Sequence, residues 1–210
     1  IEKSNPEIYL NLGYIYLRQG ENKRGLRIFE EGLKYAFNNE EELLLDVALY
    51  TNQFKEFNAT INMLSSRYQQ IQTNENLLFE LAYALDQEGK DEQAYGVYQD
   101  VLDLNPFSDN GWYNTGISHV KMGDLEKANE AFDFCLALNP GHTQAHFNKG
   151  NSLAQLNRYK EALESYLECI SYDTQQSRCL HYIADCWNQL GNSGNAVKFY
   201  RLAVETDFLD

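Results

Sequence analysis

Basic residues are scarce in this 210-residue chain: 17 Lys and Arg stand against 31 Asp and Glu, a formal net charge of −14 at pH 7. Such a chain repels phosphates, which disfavours nucleic acid and anionic membrane surfaces as partners and favours a neutral or basic protein. Proline is scarcer still, with three residues, beside thirteen glycines and no low-complexity tract. That composition belongs to an ordered chain. Four cysteines are too few to staple a disulfide scaffold of this length, and they fit a reducing cytoplasm. No apolar run approaches the roughly 18 residues that crossing a bilayer takes, so no membrane contact is expected within this segment. The chain starts at Ile1 and stops where its last helix is expected to end, as an excised piece of a longer protein would.

Recognisable chemistry is missing too. There is no glycine-rich phosphate loop, no His-Glu-x-x-His and no CxxC pair. Cys179, His181, Asp185 and Cys186 crowd into one expected helix. Cys179 and Cys186, however, stand about 10 Å apart along it, too far for a bridge, and His181 points elsewhere. These read as packed thiols rather than metal ligands. Cys135 and Cys169 fall at equivalent small-residue positions and read the same way. His119 and His146 sit at expected core positions and read as structural. No metal, no cofactor and no catalytic residue is expected.

What the chain does contain is a repeated spacing. Residues 109–142 carry Trp112, Gly116, Ala128, Phe132 and Pro140, and the pattern predicts helices over 109–121 and 125–138 joined by a turn at Gly123. Asp109 or Ser108 can cap the first helix, and Pro140 stops the second. Gly116 and Ala128 are read as small so that the two backbones can cross closely. Moving the pattern by 34 residues reaches Leu78, Ala82, Gly89, Ala94, Tyr98 and Pro106 upstream. Downstream it reaches His146, Gly150, Ala162, Tyr166 and Cys169, then Leu180, Ala184, Gly191, Ala196, Tyr200 and Ala203. The first copy keeps Tyr9, Gly13, Gly20, Phe29 and Gly32, with Gly25 where alanine is usual. The second keeps Leu44, Val47, Ala48 and Leu64, but has Lys55 at the turn glycine and Thr60 and Arg67 at small apolar sites. A less tightly crossed or slightly rotated helix pair is expected there.

This spacing resembles the tetratricopeptide repeat, in six copies at about 6–39, 41–74, 75–108, 109–142, 143–176 and 177–210, forming a single array over 1–210. The resemblance implies an all-α fold, a right-handed superhelical solenoid of antiparallel helix pairs. It also implies a non-enzymatic scaffold that binds a protein or peptide segment in a concave groove lined by the first helix of each pair. Mapped here, it assigns Asn11, Tyr14, Asp46, Phe79, Glu80, Tyr83 and Asp86 to that groove, and further on Tyr113, Asn114, Phe147, Asn148, Asn151, His181 and Asp185. Asn11, Asn114 and Asn148 share one repeat position, and Asn151 lies a turn beyond Asn148. They resemble the asparagine ladder with which some members hold an extended backbone, although Asp46, Glu80 and Tyr182 interrupt it; the alternative is a solvated polar face. Phe29, Tyr98, Phe132, Tyr166 and Tyr200 are core, so the abundant aromatics do not signal base stacking.

Charge is unevenly spread as well. Residues 75–108 hold eight acids against Lys90 alone, a net of −7. With Glu42, Asp46, Glu80 and Asp86 facing inward, this reads either as an acidic half-groove for a basic partner or as a solvated face. The Lys/Arg clamp by which some members grip a terminal carboxylate is absent. Two other readings stay open. One is a regulatory or targeting region attached to an enzyme. The other is self-assembly as a homo-oligomer through Phe199, Leu202, Phe208 and Leu209 of the C-terminal repeat.

Overall fold

The computed structural model describes residues 5–36, 40–172 and 177–207, and among these there are thirteen helices and no strand. In order they are α1 (Pro6–Arg18), α2 (Asn22–Leu33), α3 (Glu40–Gln53), α4 (Phe57–Ser65), α5 (Tyr68–Ile71), α6 (Glu75–Gln87), α7 (Asp91–Leu104), α8 (Asp109–Lys121), α9 (Leu125–Leu138), α10 (Thr143–Gln155), α11 (Tyr159–Tyr172), α12 (Ser177–Gln189) and α13 (Ser193–Asp207). They form two compact units, Ile1–Pro106 and Phe107–Asp210. Phe208 and Leu209, named above for self-assembly, lie outside the described residues. None of the described helices is long and apolar enough to cross a membrane.

Each pair is built by the same local chemistry. In four of the pairs a polar side chain caps the first helix: Asn5 accepts from the Glu7 N–H, Asn74 from Leu77 and Ser108 from Gly111, satisfying donors that a helix N-terminus leaves orphaned. The His142 Nδ1 does the same for the Ala145 N–H. The turn inside each pair then carries one left-handed residue. Gly20, Gly89, Gly123 and Gly191 supply it in four turns, and Lys55 (φ 61°) and Asn157 (φ 60°) in the other two. In every turn the N–H of the residue that follows returns to a carbonyl of the first helix, as from Glu56 to Thr51 at 2.7 Å and from Asp124 to His119 at 2.9 Å. This closes the Schellman-type end. Lys55 therefore adopts the glycine conformation without being glycine. Lys55→Gly should raise stability by about 0.5–1 kcal/mol, because an L residue is strained there, and a urea melt will show it.

The small residues work differently from the sequence expectation. A Cβ on Gly116 would lie 2.5 Å from the Phe132 ring, one on Gly150 would lie 2.5 Å from Tyr166, and one on Gly13 would lie 2.3 Å from Phe29. These glycines seat an aromatic ring of the second helix, and the close neighbour is a ring rather than a backbone. Gly25 is the exception. Its Cβ would meet the Gly13 carbonyl at 2.9 Å, so there the two backbones do approach.

In the first unit a continuous core runs from Leu17 and Phe29 through Val47, Leu64 and Leu81 to Tyr98 and Val101. Its second repeat departs from the pattern. Thr51 and Thr60 place their hydroxyls 2.7 Å apart, Thr60 donates to Asn52 Oδ1, and Asn52 Nδ2 donates to the Glu80 carboxylate at 2.7 Å and the Glu80 carbonyl at 3.1 Å. This buried polar chain ties α3 to α4 and α6 where other copies use small apolar contacts. α4 spans only nine residues and gives way to the short α5, whose Ile71 is fully buried. Arg67, the unexpected cation, bonds the Met63 carbonyl and lies 3.5 Å from Glu40.

The second unit has two apolar centres, one around Phe132 with Ala128, Cys135 and Ala145, the other around Tyr166 with Leu153, Cys169, Cys179 and Ile183. Phe199, expected to be uncovered, packs against the second centre, whereas Leu202 is exposed.

Candidate functional site: the first-helix faces

In the first unit Asn11 is exposed on α1, and Tyr14 leans on Tyr50 and Phe54 with ring centroids 4.7 and 5.8 Å away. Asp46 on α3 is half-buried. Burial, and then the charge of Glu42, hold its carboxyl above the ordinary value. Phe79 is partly buried against Tyr98 at 6.2 Å. Glu80 is held by Asn52 and is not free as a groove acid. Tyr83 meets Phe57 edge-on at 5.9 Å and remains 44% exposed, and Asp86 is half-buried. Large half-covered aromatics between amides and carboxylates are the ingredients of a recognition surface.

In the second unit the expected residues fall into three groups. On α8, Tyr113 stacks on His142 at 4.7 Å, and its hydroxyl accepts from Asn148 Nδ2 at 3.1 Å. Burial raises its phenol above the ordinary value. Asn114 turns back to donate one amide N–H to the Asn110 carbonyl at 2.9 Å, so its side chain is held on its own helix and does not join Asn148. On α10, Asn151 Oδ1 accepts from the Tyr166 hydroxyl at 2.7 Å, and Phe147 packs among Tyr166 and Tyr182 at 6.0 and 5.4 Å. On α12, His181 lies 3.3 Å from Asp185, which also accepts from the Tyr200 hydroxyl.

Sequence reasoning missed three contacts: the Asn52–Glu80 bond, the His142 stack and the approach of Cys169 Sγ to Cys179 Sγ at 3.1 Å. The first joins neighbouring repeats and the second ties α8 to the N-cap residue of α10, contacts that a position-by-position comparison of copies could have suggested. The thiol pair joins the end of α11 to the start of α12, a pairing visible only once both helices are packed. All four cysteines are buried and unbridged. Burial pushes the Cys135 thiol up to about 12 and Cys186 up to about 11. Among the described residues no three His, Cys, Asp or Glu side chains are grouped to hold a metal ion.

Models of the tetratricopeptide repeat match residues 6–39, 77–106 and 113–173, together more than half of the chain. The chain belongs to the tetratricopeptide-repeat family. Among solved structures, a crystal structure of MamA superposes with a TM-score of 0.73 at 19% identity, covering 79% of this chain and 91% of that one. MamA 41-end from Desulfovibrio magneticus RS-1 gives 0.65 at 16% identity over 100% of this chain and 98% of that one. At such identities the likeness is one of fold. No curated protein matches in sequence. Consecutive packed helix pairs of this family make the chain a protein-interaction scaffold, and tetratricopeptide-repeat proteins bind proteins or peptides.

Proposed function

We propose that the chain holds an extended or helical polypeptide segment in a groove lined by the first helices of its repeats. The observation that carries this reading is the pair Asn148 and Asn151. The Tyr113 hydroxyl accepts one Nδ2–H of Asn148 and so fixes that amide with its Oδ1 open as an acceptor. The Tyr166 hydroxyl donates to Asn151 Oδ1 and so fixes that amide with its Nδ2 open as a donor. One acceptor and one donor, a turn apart and already oriented, complement the N–H and C=O of a peptide backbone. Pre-orientation matters because a side chain ordered before binding loses less entropy on binding. Tyr83, 44% exposed, and Phe147 offer apolar contact beside these amides. Glu42, Asp46 and Asp86 make a basic segment the best fit in the first unit.

The test is capture of polypeptides by the immobilised chain, compared across variants. Tyr83→Ala and the double change Asn114→Ala/Asn148→Ala should each weaken capture, the latter severalfold and chiefly through Asn148, because Asn114 donates to its own helix. Asn151 is left intact because its Oδ1 is the acceptor for the Tyr166 hydroxyl. Unaltered capture by the asparagine double variant removes the ladder, and binding that ignores salt removes the basic segment.

A second reading is self-association through α13, where Val197, Leu202 and Val204 are 49, 38 and 56% exposed. Light scattering that grows with concentration and is abolished by Val204→Glu supports it; a monomer at all concentrations removes it.

A further inference from the structure

A cleft of 560 Å³ opens in the second unit between α9, α10 and α11, within the size range of ligand sites. It lies apart from the groove residues Tyr113, Phe147, Asn148 and Asn151, none of which lines it. Six carboxylates line it against two cations, and both cations are already engaged. Lys149 lies 2.5 Å from Asp133, and Arg158 lies 3.1 Å from Glu126 and 2.5 Å from Glu161. Glu130, Glu164 and Glu168 have no Lys or Arg among the described residues within ion-pair distance.

Acidity alone would describe only a solvated surface. Two buried polar side chains in the wall say more. Asn129 is 6% exposed, and neither its Oδ1 nor its Nδ2 has a hydrogen-bond partner. His146 is 9% exposed. Its Nε2 lies 2.9 Å from the Pro140 carbonyl, which can only accept, so Nε2 carries the proton. In the neutral ring Nδ1 is then an acceptor, and it too lacks a partner. A buried amide with both ends unmatched costs free energy that a ligand can recover. A ligand that matches this wall turns these buried groups toward the cleft, bringing N–H groups to His146 Nδ1 and Asn129 Oδ1, a carbonyl to Asn129 Nδ2, and positive charge to Glu130, Glu164 and Glu168.

We infer that this cleft is a second binding site, taking an arginine- or lysine-bearing stretch of polypeptide. Its peptide groups pair with Asn129 and its cationic side chain reaches Glu130, Glu164 and Glu168. A polyamine supplies only donors and leaves Asn129 Nδ2 unmatched, whereas a peptide supplies both. The site rests on the reading of the chain as a polypeptide binder and adds to it a face that the first-helix groove does not use. A partner could therefore be held by two segments at once, with the gain in avidity that linkage brings.

The experiment titrates the isotope-labelled chain with a capped Gly-Arg-Gly-Lys-Gly peptide, following amide resonances by NMR, with spermine as the second probe. The peptide should move the Asn129 side-chain amide and the backbone amides of α9 and α11. Glu164→Gln/Glu168→Gln, both exposed, should weaken it roughly fivefold without changing Tm. Asn129→Leu, which removes the unmatched amide, should keep or raise Tm while weakening the peptide and leaving spermine unaffected. The site is overturned if Asn129 does not respond or the glutamine variant binds equally well. The polypeptide assignment is overturned if spermine moves the Asn129 amide as far as the peptide does. The same titration on Tyr83→Ala separates the two faces: unchanged cleft shifts are expected, whereas shifts confined to α6 that vanish in this variant keep the groove and discard the cleft.

Discussion

Replacing Phe132 by alanine is expected to destabilise the chain by about 3–5 kcal/mol, the range for deleting a buried aromatic ring that its surroundings cannot collapse upon. The ring is fully buried and stands over Gly116, where no side chain exists to move into the space. The converse change tests the same contact. Gly116→Ala puts a methyl 2.5 Å from the ring and should cost about 1–3 kcal/mol. If the glycine is there for the ring, the two changes are coupled. Gly116→Ala made in a Phe132→Leu background should then cost at least about 1 kcal/mol less than in the parent. Urea melts of the four proteins read this directly. Full additivity would mean that Gly116 is required for backbone approach and that the ring is incidental. The parallel pairs Gly150–Tyr166 and Gly13–Phe29 should behave alike.

Alkali is expected to destabilise the chain through its buried thiols and phenols. Burial pushes Cys186 up to about 11 and Cys135 up to about 12. Tyr113, Tyr166 and Tyr68 are likewise raised above the ordinary phenol value, chiefly by burial, with an Asp100 hydrogen bond adding to Tyr68. A raised value means that the folded chain keeps a proton the unfolded chain has already released. The stabilisation is therefore complete below the ordinary thiol value and is lost as pH rises toward the folded one. The urea midpoint should be flat from neutrality to about pH 8.5 and fall steeply from there to about pH 12. Cys135→Ala/Cys186→Ala should make that fall shallower. Folded protein at about pH 8 should also resist iodoacetamide, since a buried thiol with a raised value presents almost no thiolate. An unchanged midpoint through pH 11 would contradict the burial of these groups.

Much of the architecture was legible from residue spacing, for physical reasons visible in 109–142. A capping Ser108, a turn at Gly123 and a terminating Pro140 each act on the backbone locally, and the expected helices coincide with α8 and α9. Local signals failed in the second repeat. α4 ends early, and the chain of Thr51, Thr60, Asn52 and Glu80 replaces apolar packing with hydrogen bonds that reach α6. No pattern over a few residues encodes such a chain. The lesson is similar for the site. Asn148 and Tyr113 are 35 residues apart, and their bond decides how the amide is turned. Asn114, identical in type and repeat position, folds back on its own helix instead. Position in the repeat told which side chains belong to the first helices; only packing told which of them are already occupied.

The central claim is that a polypeptide is held on the first-helix faces, and hydrogen–deuterium exchange tests it most directly. Exchange is compared between the free chain and the chain saturated with the polypeptide it captures. Slowed exchange in segments bearing Tyr83 on α6, Asn148 on α10 and His181 on α12 is the predicted result. Protection confined to the second helices α2, α4, α7, α9, α11 and α13, with the first helices exchanging as in the free chain, would contradict it.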